Sequence, residues 1–108
     1  MVNYILVASY TNDVTTLSFE STPGSLELSS ELNVGHHPSW LTSHKSRPSL
    51  VFTALHQSDG KIVTLSYDEL GKGKVVSEAP SGGQNPCSLV ATKAEILVAN
   101  VRKFLLDR

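Results

Sequence analysis

The sequence lacks an excess of charge of either sign. Its 108 residues carry nine Lys and Arg against ten Asp and Glu, so the formal net charge is -1. A surface that binds nucleic acid or anionic lipid needs a cluster of basic residues. We therefore expect neither nucleic acid nor a membrane as a partner. A chain of this length also allows one small domain at most, which excludes two-domain enzymes.

Cysteine is almost absent, and the start of the chain lacks a long hydrophobic run. Cys87 is the single cysteine, so no disulfide can form within the chain. Residues 1–8 have neither the basic stretch nor the apolar core of a signal peptide. We expect a reduced, cytoplasmic setting, and we expect Cys87 to be a small, buried packing residue.

Helical patterns are also missing, because no segment has the apolar spacing of an amphipathic helix. Short stretches rich in Val, Ile, Leu, Thr, Tyr and Phe instead alternate with turns such as residues 58–60 (SDG) and 71–73 (GKG). This pattern is typical of β-strands, and the sequence predicts an all-β chain of antiparallel strands. The nine predicted strands are residues 3–9, 14–20, 25–33, 39–43, 50–54, 61–67, 74–79, 88–91 and 95–100.

A repeat of 48 residues organises these strands. Residues 14–19 (VTTLSF) recur as residues 62–67 (IVTLSY), and residues 37–39 (HPS) recur as residues 85–87 (NPC), each pair 48 positions apart. A four-stranded unit of this period has the size of one β-propeller blade. The sequence therefore predicts four-stranded blades of a propeller.

Two further matches extend the repeat at other offsets. Residues 7–9 align with residues 52–54, 45 positions later, and residues 50–53 align with residues 96–99, 46 positions later. The smaller first offset predicts a longer loop around residues 56–60 in the second copy.

The predicted ring is incomplete, because a propeller needs roughly four to eight blades to close. We expect about two blades, with residues 1–100 forming the N-terminal portion of a propeller domain. Residues 101–108 contain no glycine and three of the nine basic residues, so we expect a tail that does not belong to a third blade. Open sheet edges favour aggregation, and missing blades or self-association are needed to cover them.

Four motifs together resemble the start of the seven-bladed propeller lactonases. They are residues 4–11 (YILVASYT), 37–41 (HPSWL), 81–87 (SGGQNPC) and 97–100 (LVAN). The family includes 6-phosphogluconolactonases and the fungal carboxymuconate lactonising enzymes, and its members carry similar steps in this order. The resemblance covers about residues 4 to 100.

Three positions depart from the family pattern. Ser88 follows Cys87 where the family commonly has His, Val101 stands in place of the usual Tyr, and His56 occupies a position that is often acidic.

The resemblance implies hydrolysis of a sugar-acid lactone, such as 6-phosphogluconolactone, in intact members of the family. A small-molecule lactone is then the partner, and no cofactor is expected. The acid–base groups of the family come largely from later blades, so no catalytic residue is identifiable in this chain, and we expect the chain by itself to be inactive. Two alternatives stay open: a carboxymuconate lactonising enzyme, which is a cycloisomerase, and a non-catalytic propeller interaction module.

Three residues are candidates for substrate binding. His56 and Gln57 lie in the longer loop of the second copy, where they either contact a ligand at the mouth of the propeller or belong to a solvated loop. Asn100 ends a predicted strand, where its side chain either caps neighbouring backbone groups or faces the central channel.

The other chemistry-bearing residues favour structural roles. His36 and His37 are adjacent, so in a strand they would point to opposite faces, and His44 and His56 complete no ligand spacing. We therefore expect no metal site. Trp40 begins an apolar strand and is expected in the core. The glycine pairs are expected to form turns, because no Gly-Lys-Ser/Thr ending of a phosphate-binding loop is present.

Overall fold

The chain forms nine strands in the computed structural model, which describes residues 2–9, 11–22 and 24–102. The strands are β1 (Val2–Ala8), β2 (Asp13–Glu20), β3 (Ser25–Asn33), β4 (Pro38–Ser43), β5 (Leu50–Leu55), β6 (Lys61–Tyr67), β7 (Gly73–Pro80), β8 (Gln84–Ala91) and β9 (Ile96–Arg102). All nine predicted strands are confirmed, although β8 begins earlier than predicted. The described ranges contain no helix of the length and apolar character that a membrane span requires.

These strands form three antiparallel sheets in chain order. Sheet 1 has the order β1-β2-β3, sheet 2 the order β4-β5-β6-β7 and sheet 3 the order β8-β9. Within each sheet, every strand pairs with its neighbours in sequence, as short turns between antiparallel strands allow. Sheet 2 is a complete four-stranded blade, and sheets 1 and 3 are parts of blades. The expected all-β fold, with about two blades of an incomplete propeller, is therefore confirmed.

Irregularities in strand pairing recur with the period of the sequence. The register between β2 and β3 shifts between Thr16 and Leu17, and that between β6 and β7 shifts between Thr64 and Leu65, 48 positions later. A β-bulge of this kind bends and twists its strand. The equivalent bulges show that the sequence repeat corresponds to equivalent positions in successive blades.

Strand pairing corrects two of the sequence alignments by one residue. Ile5 pairs with Leu17 and Val51 pairs with Leu65, so Ile5 and Val51 are equivalent, 46 positions apart and not 45. The same comparison makes Ile96 equivalent to Val51, 45 positions apart and not 46. Successive side chains of a strand point to opposite faces, so each one-residue slip had exchanged the faces of a whole strand.

The core consists of two apolar clusters on the two faces of sheet 2. The cluster between sheets 1 and 2 contains Val14, Val34, Val51, Leu55, Val63 and Leu65. The cluster between sheets 2 and 3 contains Phe52, Ala54, Leu89 and Ala91. Strand β5 contributes to both clusters, and its residues from Val51 to Leu55 are all buried. Sheet 2 is therefore the middle layer of the chain.

Two residues predicted to be buried are exposed. Cys87 is exposed because it is the extra residue of a bulge between Pro86 and Ser88 in β8, where its Sγ lies 3.5 Å from the carbonyl oxygen of Ala99. Trp40, on the edge strand β4, is 45% exposed. Both predictions of burial were wrong.

The expected boundary of the propeller portion lies close to the end of the described chain. Strand β9 continues through Val101 to Arg102, and residues 103–108 lie outside the described residues. A separate tail after residue 100 therefore stays a prediction.

Candidate functional site

One end of the sheets carries most of the polar residues singled out in the sequence. Because neighbouring strands are antiparallel, the loops that follow β1, β3, β5 and β7 all lie at the same end. We call this end the crossover rim and define it as residues 11–12, 34–37, 56–60 and 81–85. The rim includes both segments that connect one sheet to the next, residues 34–37 and 81–85.

Main-chain hydrogen bonds join the loops of the rim. The His37 amide donates to the carbonyl oxygen of Thr11 at 3.0 Å, and the Asn85 amide donates to that of Gln57 at 2.8 Å. The two bonds occupy equivalent positions in the repeat. The His56 amide also donates to the carbonyl oxygen of His37 at 2.8 Å. The rim is therefore held by its backbone across all three sheets.

The same rim positions require an unusual backbone conformation. His37 and Asn85, which are equivalent in the repeat, have φ angles of 52° and 51°. This left-handed region is costly for most residues other than glycine, and asparagine tolerates it better than most. A proline follows each of them, which disfavours the right-handed helical conformation at the preceding residue. The sequence steps HPS and NPC thus encode the same corner of the chain.

Three histidines come close together at this corner. His36 and His37 lie in a turn and not in a strand, and their rings stack with centroids 3.6 Å apart. Burial lowers the pKa of His37, and the neighbouring His36 and His56 lower it further. The prediction that the two side chains point to opposite faces assumed that they lie in a strand, so it does not apply to this turn. Even so, the described residues contain no group of three or more His, Cys, Asp or Glu placed to hold a metal ion.

Replacing His37 with asparagine is expected to reduce the sensitivity of the fold to acid. The lowered pKa means that the folded chain binds this proton less readily than the unfolded chain. The stability of the native protein is therefore highest above the ordinary histidine range and falls as the pH drops through it. Asparagine has no titratable group, and it tolerates the positive φ at this position. We expect His37→Asn to flatten the dependence of unfolding free energy on pH between about 7.5 and 5, measured by urea denaturation.

The reverse exchange supplies a matched control. Asn85→His places an imidazole in the same backbone conformation at the equivalent position, where the preceding residue is Gln84 and not a histidine. We expect this variant to lose some stability at every pH and to add little acid sensitivity. An unchanged pH dependence in His37→Asn would contradict the role assigned to His37.

Two of the three candidate binding residues lie next to each other on the rim. His56 and Gln57 are half-buried in the loop after β5. The side-chain amide of Gln57 donates to the carbonyl oxygen of Asp59 at 2.8 Å, so it stabilises the loop that carries it. The structure places both residues at one end of the sheets, and their contact with a ligand stays a prediction.

Asn100 lies on β9, opposite Pro86 of β8. Its side-chain nitrogen donates to the carbonyl oxygen of Ser81 at 3.3 Å, and its side-chain oxygen accepts a hydrogen bond of 2.8 Å from the Ser81 hydroxyl. These hydrogen bonds correspond to the alternative in which the Asn100 side chain caps neighbouring backbone groups. Asn100 also borders a cleft of about 580 Å³ along β9, lined by Ser81, Gly82 and residues 96–100.

Sequence reasoning missed the part played by Ser39. Its hydroxyl lies 3.2 Å from the carbonyl oxygen of Ala54 in its own sheet and 2.9 Å from that of Pro86 in sheet 3. Ser39 occupies the bulge between Pro38 and Trp40, equivalent to the bulge at Cys87. The repeated X-Pro-X step was the available signal, because a residue that falls in a bulge is free to bond across sheets.

Two crystal structures share this arrangement of sheets. A protein assigned as a 6-phosphogluconolactonase from Bacteroides fragilis aligns with a TM-score of 0.79 and 24% identity, over 88% of this chain and 28% of that one. A protein with the same assignment from Bacteroides uniformis aligns with a TM-score of 0.76 and 22% identity, over 88% of this chain and 29% of that one. The chain spans less than a third of either structure, and the likeness shows the fold.

Sequence comparison identifies the family. No curated protein matches the chain, whereas the family described as lactonase, 7-bladed beta-propeller, matches residues 4–102. The match covers the four motifs that carried the resemblance, and all but the first two of the described residues. It also agrees with the blade geometry of the three sheets. The chain therefore belongs to the lactonase family of seven-bladed β-propellers.

Proposed function

We propose that the chain forms an N-terminal portion of a propeller that hydrolyses a sugar-acid lactone, with 6-phosphogluconolactone as the candidate substrate. The family match over residues 4–102 is the observation that carries this proposal. The assignments of the two similar crystal structures support the choice of lactone. A reducing, cytoplasmic setting fits a single cysteine that is exposed and unpaired.

Lactone hydrolysis sets defined chemical requirements. Water adds to the carbonyl carbon, the bond from that carbon to the ring oxygen breaks, and an open hydroxy acid forms. One proton leaves the water and one reaches the ring oxygen, so acid–base groups must lie on the two sides of the scissile bond. The negative charge that develops on the carbonyl oxygen needs hydrogen-bond donors or a cation.

The crossover rim meets part of these requirements. Imidazole is the side chain that most often transfers protons in enzymes, and His56 brings one to the longer of the two equivalent loops in the repeat. The amides of Gln57 and Asn100 are engaged with Asp59 and Ser81. We therefore propose that His56 contacts the substrate and that Gln57 and Asn100 hold the rim in position.

By itself the chain is proposed to be inactive. The described rim comes from one complete blade and two partial ones, so it can surround a substrate on one side only. Catalysis depends on groups fixed on several sides of the reacting bond. The remaining blades of a seven-bladed ring would have to supply them.

A chimera tests this proposal directly. Residues 4–102 would replace the equivalent blades of the Bacteroides fragilis protein, with the parent protein as the control. Proton release from 6-phosphogluconolactone would be followed at constant pH, for the chimera and for the chain alone. We expect turnover above spontaneous hydrolysis by the chimera and none by the chain alone, and we expect His56→Ala in the chimera to raise KM.

Other outcomes are equally informative. A chimera that unfolds cooperatively yet gives no turnover, beside an active parent, would contradict the proposal and favour an interaction module. Turnover of muconolactone but not of the sugar lactone would assign the chain to the cycloisomerase branch. Turnover by the chain alone would refute its proposed inactivity.

A further inference from the structure

Strand β4 forms the inner edge of the complete blade. Strands β4 and β5 pack against β8 of the next sheet, and β4 also approaches β1 of sheet 1. Strand β7 lies at the opposite edge of sheet 2, and seven of its eight residues are exposed. Because the blades of a propeller surround a central channel, the edges that converge, those of β4 and β8, face that channel. Side chains exposed along β4 therefore line it.

Trp40 lies on this inner edge, close to the crossover rim. It follows the rim residue His37 by three positions, and it is 45% exposed. Trp40 pairs with Ala54, so both side chains lie on the face of sheet 2 that packs against sheet 3. The exposed part of the indole is therefore open to the channel beside the rim.

The exposure of Trp40 does not depend on the strand that sheet 1 lacks. Sheet 1 consists of β1, β2 and β3, which are equivalent to β5, β6 and β7, so its missing strand is the equivalent of β4. That strand would lie over the opposite face of sheet 2, where Leu41 packs into the cluster with Val51 and Leu65. The neighbour on the side of Trp40 is β8, which the chain contains. A complete ring therefore leaves Trp40 at the channel.

The blade fold itself does not require a large side chain at this position. The equivalent of Trp40 in sheet 3 is Ser88, because each follows a bulge residue and pairs with an alanine, Ala54 or Ala99. One blade thus has an indole where the next has a hydroxymethyl group, although both have the same strand pairing. The indole at Trp40 is available for a role other than blade packing.

The backbone next to Trp40 is held in place. The Ser39 hydroxyl lies 3.2 Å from the carbonyl oxygen of Ala54 and 2.9 Å from that of Pro86, so the bulge is tied to its own sheet and to the next. Binding to a side chain on a fixed backbone costs less ordering than binding to one on a mobile loop. Trp40 is therefore a prepared surface for a ligand in the channel.

We infer that the closed ring of the lactone stacks on Trp40, an inference that rests on the proposed function. The ring of a sugar δ-lactone is flattened at its carbonyl group, and its C–H bonds form an apolar face. Covering such a face with an aromatic ring removes apolar surface from water, and ligand sites typically combine aromatic side chains with a few polar groups. The open hydroxy acid has no flat ring, so Trp40 favours the substrate over the product.

The fluorescence of the chain tests this contact. Trp40 is the single tryptophan of the sequence, so the emission reports on this position alone. Freshly dissolved gluconolactone would be titrated into the 108-residue chain, with gluconate in matched salt as the open-chain comparison. We expect gluconolactone to cause a saturable blue shift, because stacking removes water from the indole, and gluconate to cause none. Equal responses to both compounds, or no response to the lactone, would overturn the inference.

Val76 supplies a matched control on the opposite edge of the same sheet. It is 52% exposed on β7, so the double variant Trp40→Leu, Val76→Trp carries one tryptophan of similar exposure outside the channel. We expect no response of this variant to gluconolactone, and thermal unfolding would verify its fold. A response equal to that of the native chain would show that any exposed indole suffices, and the inference would fail.

The chimera described above separates this inference from the proposed function. In the chimera we expect Trp40→Leu to raise KM about tenfold with little change in kcat, because stacking is shared by the bound substrate and the transition state. Trp40→Phe should restore most of the loss. An active chimera with the same KM after Trp40→Leu would refute the role of Trp40. A lactone response of the chain beside an inactive chimera would support that role and refute hydrolysis.

Discussion

Replacing Leu65 with alanine is expected to lower the unfolding free energy of the chain by about 3 kcal/mol. Leu65 is completely buried and belongs to the cluster between sheets 1 and 2, with Val14, Val51 and Val63 as neighbours. Truncation would remove apolar contacts and leave a cavity that the two rigid sheets cannot fill by moving together. Urea denaturation would measure the loss.

The repeat supplies a matched control for this substitution. Leu17 is equivalent to Leu65 and also follows a threonine in the sequence, but it is half-buried on the face of sheet 1 that points away from sheet 2. We expect Leu17→Ala to cost about 1 kcal/mol, because less apolar surface is lost and no enclosed cavity forms. Equal losses in the two variants would show that sheet 1 is covered on both faces in solution.

Adding a single methyl group at Gly60 is expected to have a comparable effect. A Cβ at this buried position would lie 2.7 Å from Pro86 Cδ and 2.8 Å from the carbonyl oxygen of Gly83, and it would also overlap the Ser81 hydroxyl. The loop cannot easily move away, because the carbonyl oxygen of Gly60 accepts a hydrogen bond of 2.8 Å from the Ser81 amide. We expect Gly60→Ala to cost about 2 to 3 kcal/mol, measured as a reduced denaturation midpoint.

Gly82 provides the comparison for Gly60. It lies in the passage from sheet 2 to sheet 3, where an added Cβ would meet no atom within 4 Å, although its φ is +83°. Asparagine tolerates positive φ better than most residues, so we expect Gly82→Asn to cost less than about 1 kcal/mol. A small effect of Gly60→Ala would mean that the junction between sheets 2 and 3 is looser than the structure indicates.

The strands and their grouping into blades could be predicted from the sequence because the determining signals are local. Turn residues separate every pair of strands, and β-branched and aromatic residues fill the stretches between them. The 48-residue recurrence of residues 14–19 then identified equivalent strands, and its confirmation by bulges at Thr16 and Thr64 shows that the pattern is structural.

Burial and register could not be predicted in the same way, because they depend on bulges and on which sheet faces which. Cys87 looked like a packing residue beside an apolar strand, but a bulge places it outside the alternation of β8. Trp40 begins an apolar strand, but that strand lies at the edge of its sheet. The histidine corner was missed because positive φ at His37 is a backbone property with no signal in composition.

Because both faces of β5 are covered, the strands of sheet 2 differ in how strongly their backbone amides are protected from hydrogen exchange. Strand β5 is buried along nearly its whole length, whereas seven of the eight residues of β7 are exposed. Backbone amides of β7 can exchange with solvent by local fraying, whereas those of β5 are hydrogen-bonded to β4 and β6 and lie between two covered faces. We therefore expect the amides of β5 to exchange more slowly than those of β7.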